Sequence, residues 1–86
     1  MNENRLPDYI EHIRRAATEA CGFVEGLNRQ DFLADLRTQK AVVMSLVIIG
    51  EAAEQVMDRH AEFAERYPDV PWRSMRGMRS RIAQDI

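Results

Sequence analysis

Four arginines crowd the last sixteen residues of this 86-residue chain. Arg73, Arg76, Arg79 and Arg81 stand there against one acid, Asp85, a local balance of +3. Residues 1–70 carry thirteen acids against eight Lys and Arg, a balance of −5. A guanidinium presents planar, paired donors that match phosphate oxygens. The basic end is therefore a candidate anion-binding edge, with Arg73, Arg76 and Arg81 as candidate phosphate contacts; a solvated charged face is the plainer alternative. The net charge of −2 points to neither nucleic acid nor an anionic membrane for the chain as a whole.

Other side chains could do chemistry but lack suitable company. His12 lies between Glu11 and Ile13, off the apolar stripe, and reads as a surface imidazole. His60, the only other histidine, precedes an expected bend and could act as a base only if the fold brought it beside Arg79. Glu51 with Glu54, and Glu62 with Glu65, have helical Glu-x-x-Glu spacing. A carboxylate di-metal bundle also needs inward Glu-x-x-His pairs, and no histidine has that spacing. Neither a metal nor a cofactor is expected, and Glu51 is a candidate to pair with an arginine across a dimer. Cys21 is alone, which precludes an internal disulfide and fits a reducing cytoplasm. Its place at the edge of the first apolar stripe suggests packing. Trp72 reads as a core anchor, with base stacking near the arginines as the alternative.

The elements that must position these residues are helical. Pro7 and Asp8 suit a first helical turn. Leu6, Ile10, Ile13, Ala17, Ala20, Val24 and Leu27 recur in steps of three and four, predicting an amphipathic helix over 6–25 that Gly26 ends. Asn28 and Asp31 form an N-cap signal for a short helix near 29–36. Thr38 is the expected cap of a long helix over 38–59. There Val42, Leu46, Ile49, Ala53 and Val56 make one stripe, with Val43, Val47 and Ala52 beside it. So wide an arc needs cover on two sides, and a second protomer is the economical second cover. Gly50 within it costs about 1 kcal/mol against Ala and implies close helix approach. Residues 60–67 extend or follow this helix with Phe63 and Tyr67 facing one way. Pro68 and Pro71 then force a turn, Trp72 anchors a short helical turn, and Gly77 interrupts before a last helix near Met78.

No strand-like alternation or internal repeat occurs, so the expected class is all-α, an antiparallel bundle of one domain. A chain this short buries only about 60% of its unfolded surface, which favours a homodimer. The longest apolar run, Leu46 to Ile49, is far below a membrane span, and no leader pattern opens the sequence. A soluble, cytoplasmic protein is expected.

Three segments resemble the HepT-like family of HEPN toxins: Leu-Pro-Asp-Tyr-Ile-Glu-His-Ile at residues 6–13, Ile-Gly-Glu-Ala-Ala at 49–53, and Pro-Trp-Arg at 71–73 with Gly-Met-Arg at 77–79. The likeness spans essentially the whole chain. It implies a helical-bundle homodimer that acts as the toxin of a toxin–antitoxin pair, partnered by a minimal nucleotidyltransferase of the MntA type. It also implies a metal-independent endoribonuclease carrying Arg, four residues, His, one residue, Tyr, the tyrosine being the point where the antitoxin attaches AMP.

In such a motif the arginine meets the phosphate charge that grows in the transition state. The histidine takes a proton from the ribose 2′-OH and returns one to the leaving oxygen. Five residues apart, the two are expected on nearly one helical face. On this sequence Arg79 matches the arginine and Ser80 takes the polar position usually held by asparagine. Gln84 stands in the histidine's place and Ile86 in the tyrosine's. Glutamine has no accessible pKa, and losing general acid–base catalysis costs roughly 10²–10⁴-fold in rate. Isoleucine has no hydroxyl to receive AMP. Family members usually continue past this position into a C-terminal stretch, which this sequence is expected to lack. The expectation is a HepT-like protein that is inactive or attenuated; the alternative is a non-enzymatic dimerisation or antitoxin-binding module.

Overall fold

The computed structural model describes residues 4–85 and holds five helices, with no strand among the described residues. The first apolar stripe folds as α1 (Leu6–Val24), with Pro7 in its first turn. Gly26 follows at φ +79°, a conformation open to glycine at no steric cost. Ala16, one position from the expected Ala17, is the buried residue of α1, and Ala17 is exposed. Cys21 is exposed as well, contrary to the packing role expected of it, because it stands about 140° around α1 from the buried Ala16.

Helix α2 (Arg29–Ala34) starts in a capping box: the Asp31 N–H donates to Asn28 Oδ1 at 2.8 Å and the Asn28 N–H to Asp31 Oδ2 at 3.4 Å. The long helix α3 (Leu36–Arg59) begins two residues before the expected start, and Thr38 is not its cap. Asp35 is, with its carboxylate accepting from the Thr38 N–H at 3.1 Å and the Thr38 hydroxyl at 2.6 Å. A carboxylate at this end also complements the helix dipole, which is why aspartate displaces threonine here.

After α4 (Ala61–Arg66) the chain turns through Pro68 and enters α5 (Trp72–Asp85). Gly77 does not interrupt α5. Its cost of about 1 kcal/mol is small beside the packing of Trp72 and Met75 against α3 and its surroundings. Trp72 is buried, its indole N–H donating to the Tyr67 carbonyl at 3.1 Å, and it is the core anchor rather than a stacking platform. Phe63 lies 4.8 Å from the Tyr67 ring and 6.2 Å from Trp72, so α4 and the turn close one end of the bundle as an aromatic cluster.

Helix α3 is the shared wall. Early α1 meets late α3, and early α5 meets late α3, so both neighbours run antiparallel to it. Ala53, Val56 and Trp72 form the core, ringed by Ile10, Ile13, Met57 and Met75. A second cover of the wide apolar arc is supplied by α5 of the same chain. A further face of α3 stays open: Leu36 is 62% and Met44 59% exposed, with Ile48 exposed beside them. The radius of gyration of 14.4 Å exceeds the roughly 12 Å of a compact chain this long, as an elongated bundle with one uncovered face requires. No helix among the described residues is long and apolar enough to cross a membrane.

Candidate functional site

Arg79 is placed by a close approach of α5 to α3. Gly50 has no side chain, and α5 lies directly over it; a Cβ added there would be 2.9 Å from Arg79 Cβ and 3.0 Å from the Met75 carbonyl oxygen. That contact turns Arg79 along the surface of α3. Its Nη1 donates to Glu51 Oε1 at 3.1 Å and lies 3.6 Å from Glu54 Oε2. The expected pairing of Glu51 with an arginine across a dimer is thus replaced by a pairing within the chain. The same contacts account for the Glu-x-x-Glu spacing of 51 and 54, which clamps a guanidinium from one helix face. The Arg79 side chain keeps 43% exposure, so it is neither inside the core nor free of partners.

The other motif positions do not join it. Gln84 is exposed on the last turn of α5, Ser80 is exposed, and Ile86 lies outside the described residues. Five residues advance an α-helix by one turn and roughly 140° more, so positions 79 and 84 do not share a face. The expectation that they would is corrected by this arithmetic and by the structure: Arg79 faces the α3 carboxylates, whereas Gln84 sits among solvent-facing positions. Arg73, Arg76, Ser80 and Gln84 step by three and four along one exposed flank, and Arg81, also exposed, lies about 80° around the helix from Arg73.

The histidines divide as well. His60 caps α3 and stacks against Tyr9 at 6.1 Å between ring centroids. Its position ten residues after Gly50, at the helix end, removes it from Arg79. His12 is exposed, as expected, but it lines a groove of about 500 Å³ between α1 and α3. Tyr9 and Arg15 share its α1 wall, and Ile48, Glu51 and Gln55 supply its α3 wall. Glu51 thus belongs to both places, holding Arg79 and lining the groove. Sequence reasoning passed over this groove although its signal was present: Tyr9, His12 and Arg15 recur at three-residue steps on one side of α1. Among the described residues no group of three or more His, Cys, Asp and Glu could hold a metal.

The family model described as "Ribonuclease HepT-like" matches residues 8–85. A Thermococcus cleftensis protein named "Probable ribonuclease HepT" is 37% identical over 87% of this chain and 66% of its own length. A Methanocaldococcus jannaschii protein named as a candidate RNase is 34% identical over 90% of this chain and 58% of its own. One from Caldanaerobacter subterraneus subsp. tengcongensis, named likewise, is 35% identical over 90% of this chain and 66% of its own. The chain therefore spans about three-fifths to two-thirds of the length of these relatives. No solved structure matches it. With a family model covering nearly its whole length, and relatives 34–37% identical over the matched stretch, the chain belongs to the ribonuclease HepT-like family of HEPN proteins.

Proposed function

We propose that this chain is a HepT-type endoribonuclease component with an attenuated acid–base step, acting on RNA without a metal. The observation that carries the reading is Arg79: it is solvent-accessible, held at one edge by Glu51 and Glu54, and set at the motif position where a HepT-like protein needs a phosphate-binding cation. The guanidinium keeps donors beyond those facing the two carboxylates, and a phosphodiester can take them. Arg73, Arg76 and Arg81 extend the cationic surface along α5. Ser80 offers a hydroxyl beside Arg79. Gln84 can hydrogen-bond a phosphate or ribose oxygen but cannot move a proton, and Ile86 cannot accept AMP; these two positions attenuate turnover and remove the site of nucleotide attachment.

The same reading includes a homodimer through α3, a nucleotidyltransferase antitoxin of the MntA type as partner, and a single helical domain. Its support is the open face of α3, where Leu36, Met44 and Ile48 leave apolar surface uncovered on an elongated bundle. The test is cleavage of a mixed RNA substrate in EDTA by the parent chain and by Arg79→Ala. Slow, chelator-resistant cleavage that disappears in the variant is the expected result. A second reading, a non-enzymatic module that binds the antitoxin, is favoured by the loss of both imidazole and phenol at positions 84 and 86. It prevails if the parent cleaves nothing and still binds the nucleotidyltransferase.

A further inference from the structure

We propose that the groove between α1 and α3 seats the scissile phosphodiester and that His12 is the imidazole that acts on it. This rests on the ribonuclease reading above and assigns that reaction a residue outside the family motif.

Three observations carry it. The groove is concave and of a size to take a nucleotide, at about 500 Å³. It gathers on one α1 wall the imidazole and phenol that α5 lacks, His12 and Tyr9, together with a guanidinium from Arg15. And it shares Glu51 with the site of Arg79, so the groove and the motif arginine adjoin through one carboxylate. The opposite wall adds Gln55, whose side-chain carbonyl accepts from Arg59 at 2.7 Å and leaves its amide NH2 as the donor end. Glu19 also lines the groove, Arg15 lies 3.8 Å from Glu11, and Arg79 reaches the groove's edge only through Glu51, so a bound phosphate must draw both guanidiniums from carboxylates they already face. His60 packs against Tyr9 from the end of α3 but does not itself line the groove.

The step balances without a co-reactant. The imidazole of His12 takes the proton of the ribose 2′-OH as the 2′-oxygen bonds to phosphorus. The bond from phosphorus to the 5′-oxygen breaks, and the imidazolium gives its proton to that departing oxygen. A 2′,3′-cyclic phosphate and a 5′-hydroxyl result, with the enzyme unchanged. Arg15 and Arg79 meet the charge on the phosphate oxygens.

The test uses the full chain and two probes. Histidine resonances are followed by NMR while an uncleavable 2′-O-methyl oligonucleotide is added, and cleavage of the corresponding ribo-oligonucleotide is timed for the parent, His12→Gln and His60→Gln. The expected result is a shift of the His12 signal alone, a rate at least roughly 10²-fold lower in His12→Gln, and a parental rate in His60→Gln. Cleavage at the parental rate in His12→Gln, or oligonucleotide binding that leaves the His12 signal unmoved, overturns the groove assignment and leaves the ribonuclease reading standing. A parent that neither binds nor cleaves overturns both.

Discussion

Gly50 and Arg79 occupy one contact: the missing side chain of the first is the space through which the backbone of the second reaches α3, with 2.9 Å between a notional Gly50 Cβ and Arg79 Cβ. The glycine on α3 thereby sets the height of α5, and with it the reach of Arg79 to Glu51 and Glu54.

Gly50→Ala should therefore destabilise the fold even though alanine is the better helix former. The intrinsic gain is about 1 kcal/mol, while forcing a methyl into a packed contact costs about 1–3 kcal/mol. The neighbours here are helix backbone and a Cβ, which cannot swing aside. Urea unfolding should show a lower midpoint at unchanged slope; a midpoint equal to or above the parent's would refute the close approach.

Neutralising the clamp should separate stability from ligand binding. Arg79 and Glu51 are both largely solvent-exposed, so the Glu51→Gln, Glu54→Gln double variant should lose less than about 1 kcal/mol of stability. Its affinity for a short RNA at low salt should rise several-fold, because Arg79 no longer shares its donors with two anions. Fluorescence anisotropy with a labelled oligonucleotide reads this directly, and weaker binding would count against Arg79 as a phosphate contact.

Restoring the motif should restore rate. The Gln84→His, Ile86→Tyr variant gains a group that titrates near neutrality and a hydroxyl, so RNA cleavage in EDTA should rise by roughly 10²-fold or more. An unchanged rate would count against the reading that Gln84 and Ile86 limit turnover.

Acid should loosen the start of α3. The Asp35 carboxyl is held below its ordinary value by the Thr38 hydroxyl and then by the Thr38 backbone N–H. Glu11 is lowered in the same direction by its hydrogen bond from Arg14. A carboxyl lowered in the folded state contributes stability that is present above its unfolded pKa and is lost as pH falls through the folded one. For Asp35 that window opens below about pH 3.9. Thermal midpoints measured from pH 6 down to pH 2 should fall less steeply for Asp35→Asn than for the parent; parallel curves would exclude the cap as a source of the acid response.

Trp72→Ala should unfold much of the bundle, at a cost of about 3–5 kcal/mol, because the indole fills the junction of α3, α4 and α5 and is 8% exposed. Native tryptophan fluorescence should be insensitive to added RNA in the parent, since the ring has no free face for a base.

The helices and their order were legible in the residues. Steps of three and four fixed α1 and α3, Asn28 with Asp31 announced α2, and Pro68 with Pro71 marked the turn, because these signals act through local backbone geometry. Gly50 was legible as a close approach but not as an approach by Arg79. Asp35 and Thr38 compete for one cap, and the choice between them depends on a hydrogen bond that spacing leaves open. Gly77 was misleading for the opposite reason: a local cost of about 1 kcal/mol is overridden by the burial of Trp72 and the packing of Met75 against the core.

By itself, then, the sequence determined an all-helical chain, a basic final segment, and an arginine at position 79 with a glutamine at position 84. Only the tertiary structure decided that α5 covers a second side of α3, that Glu51 meets Arg79 within one chain, and that His12 faces a groove. Local propensity extends over a few residues of chain, whereas Glu51 and Arg79 are 28 residues apart and meet only because two helices cross where one of them has no side chain.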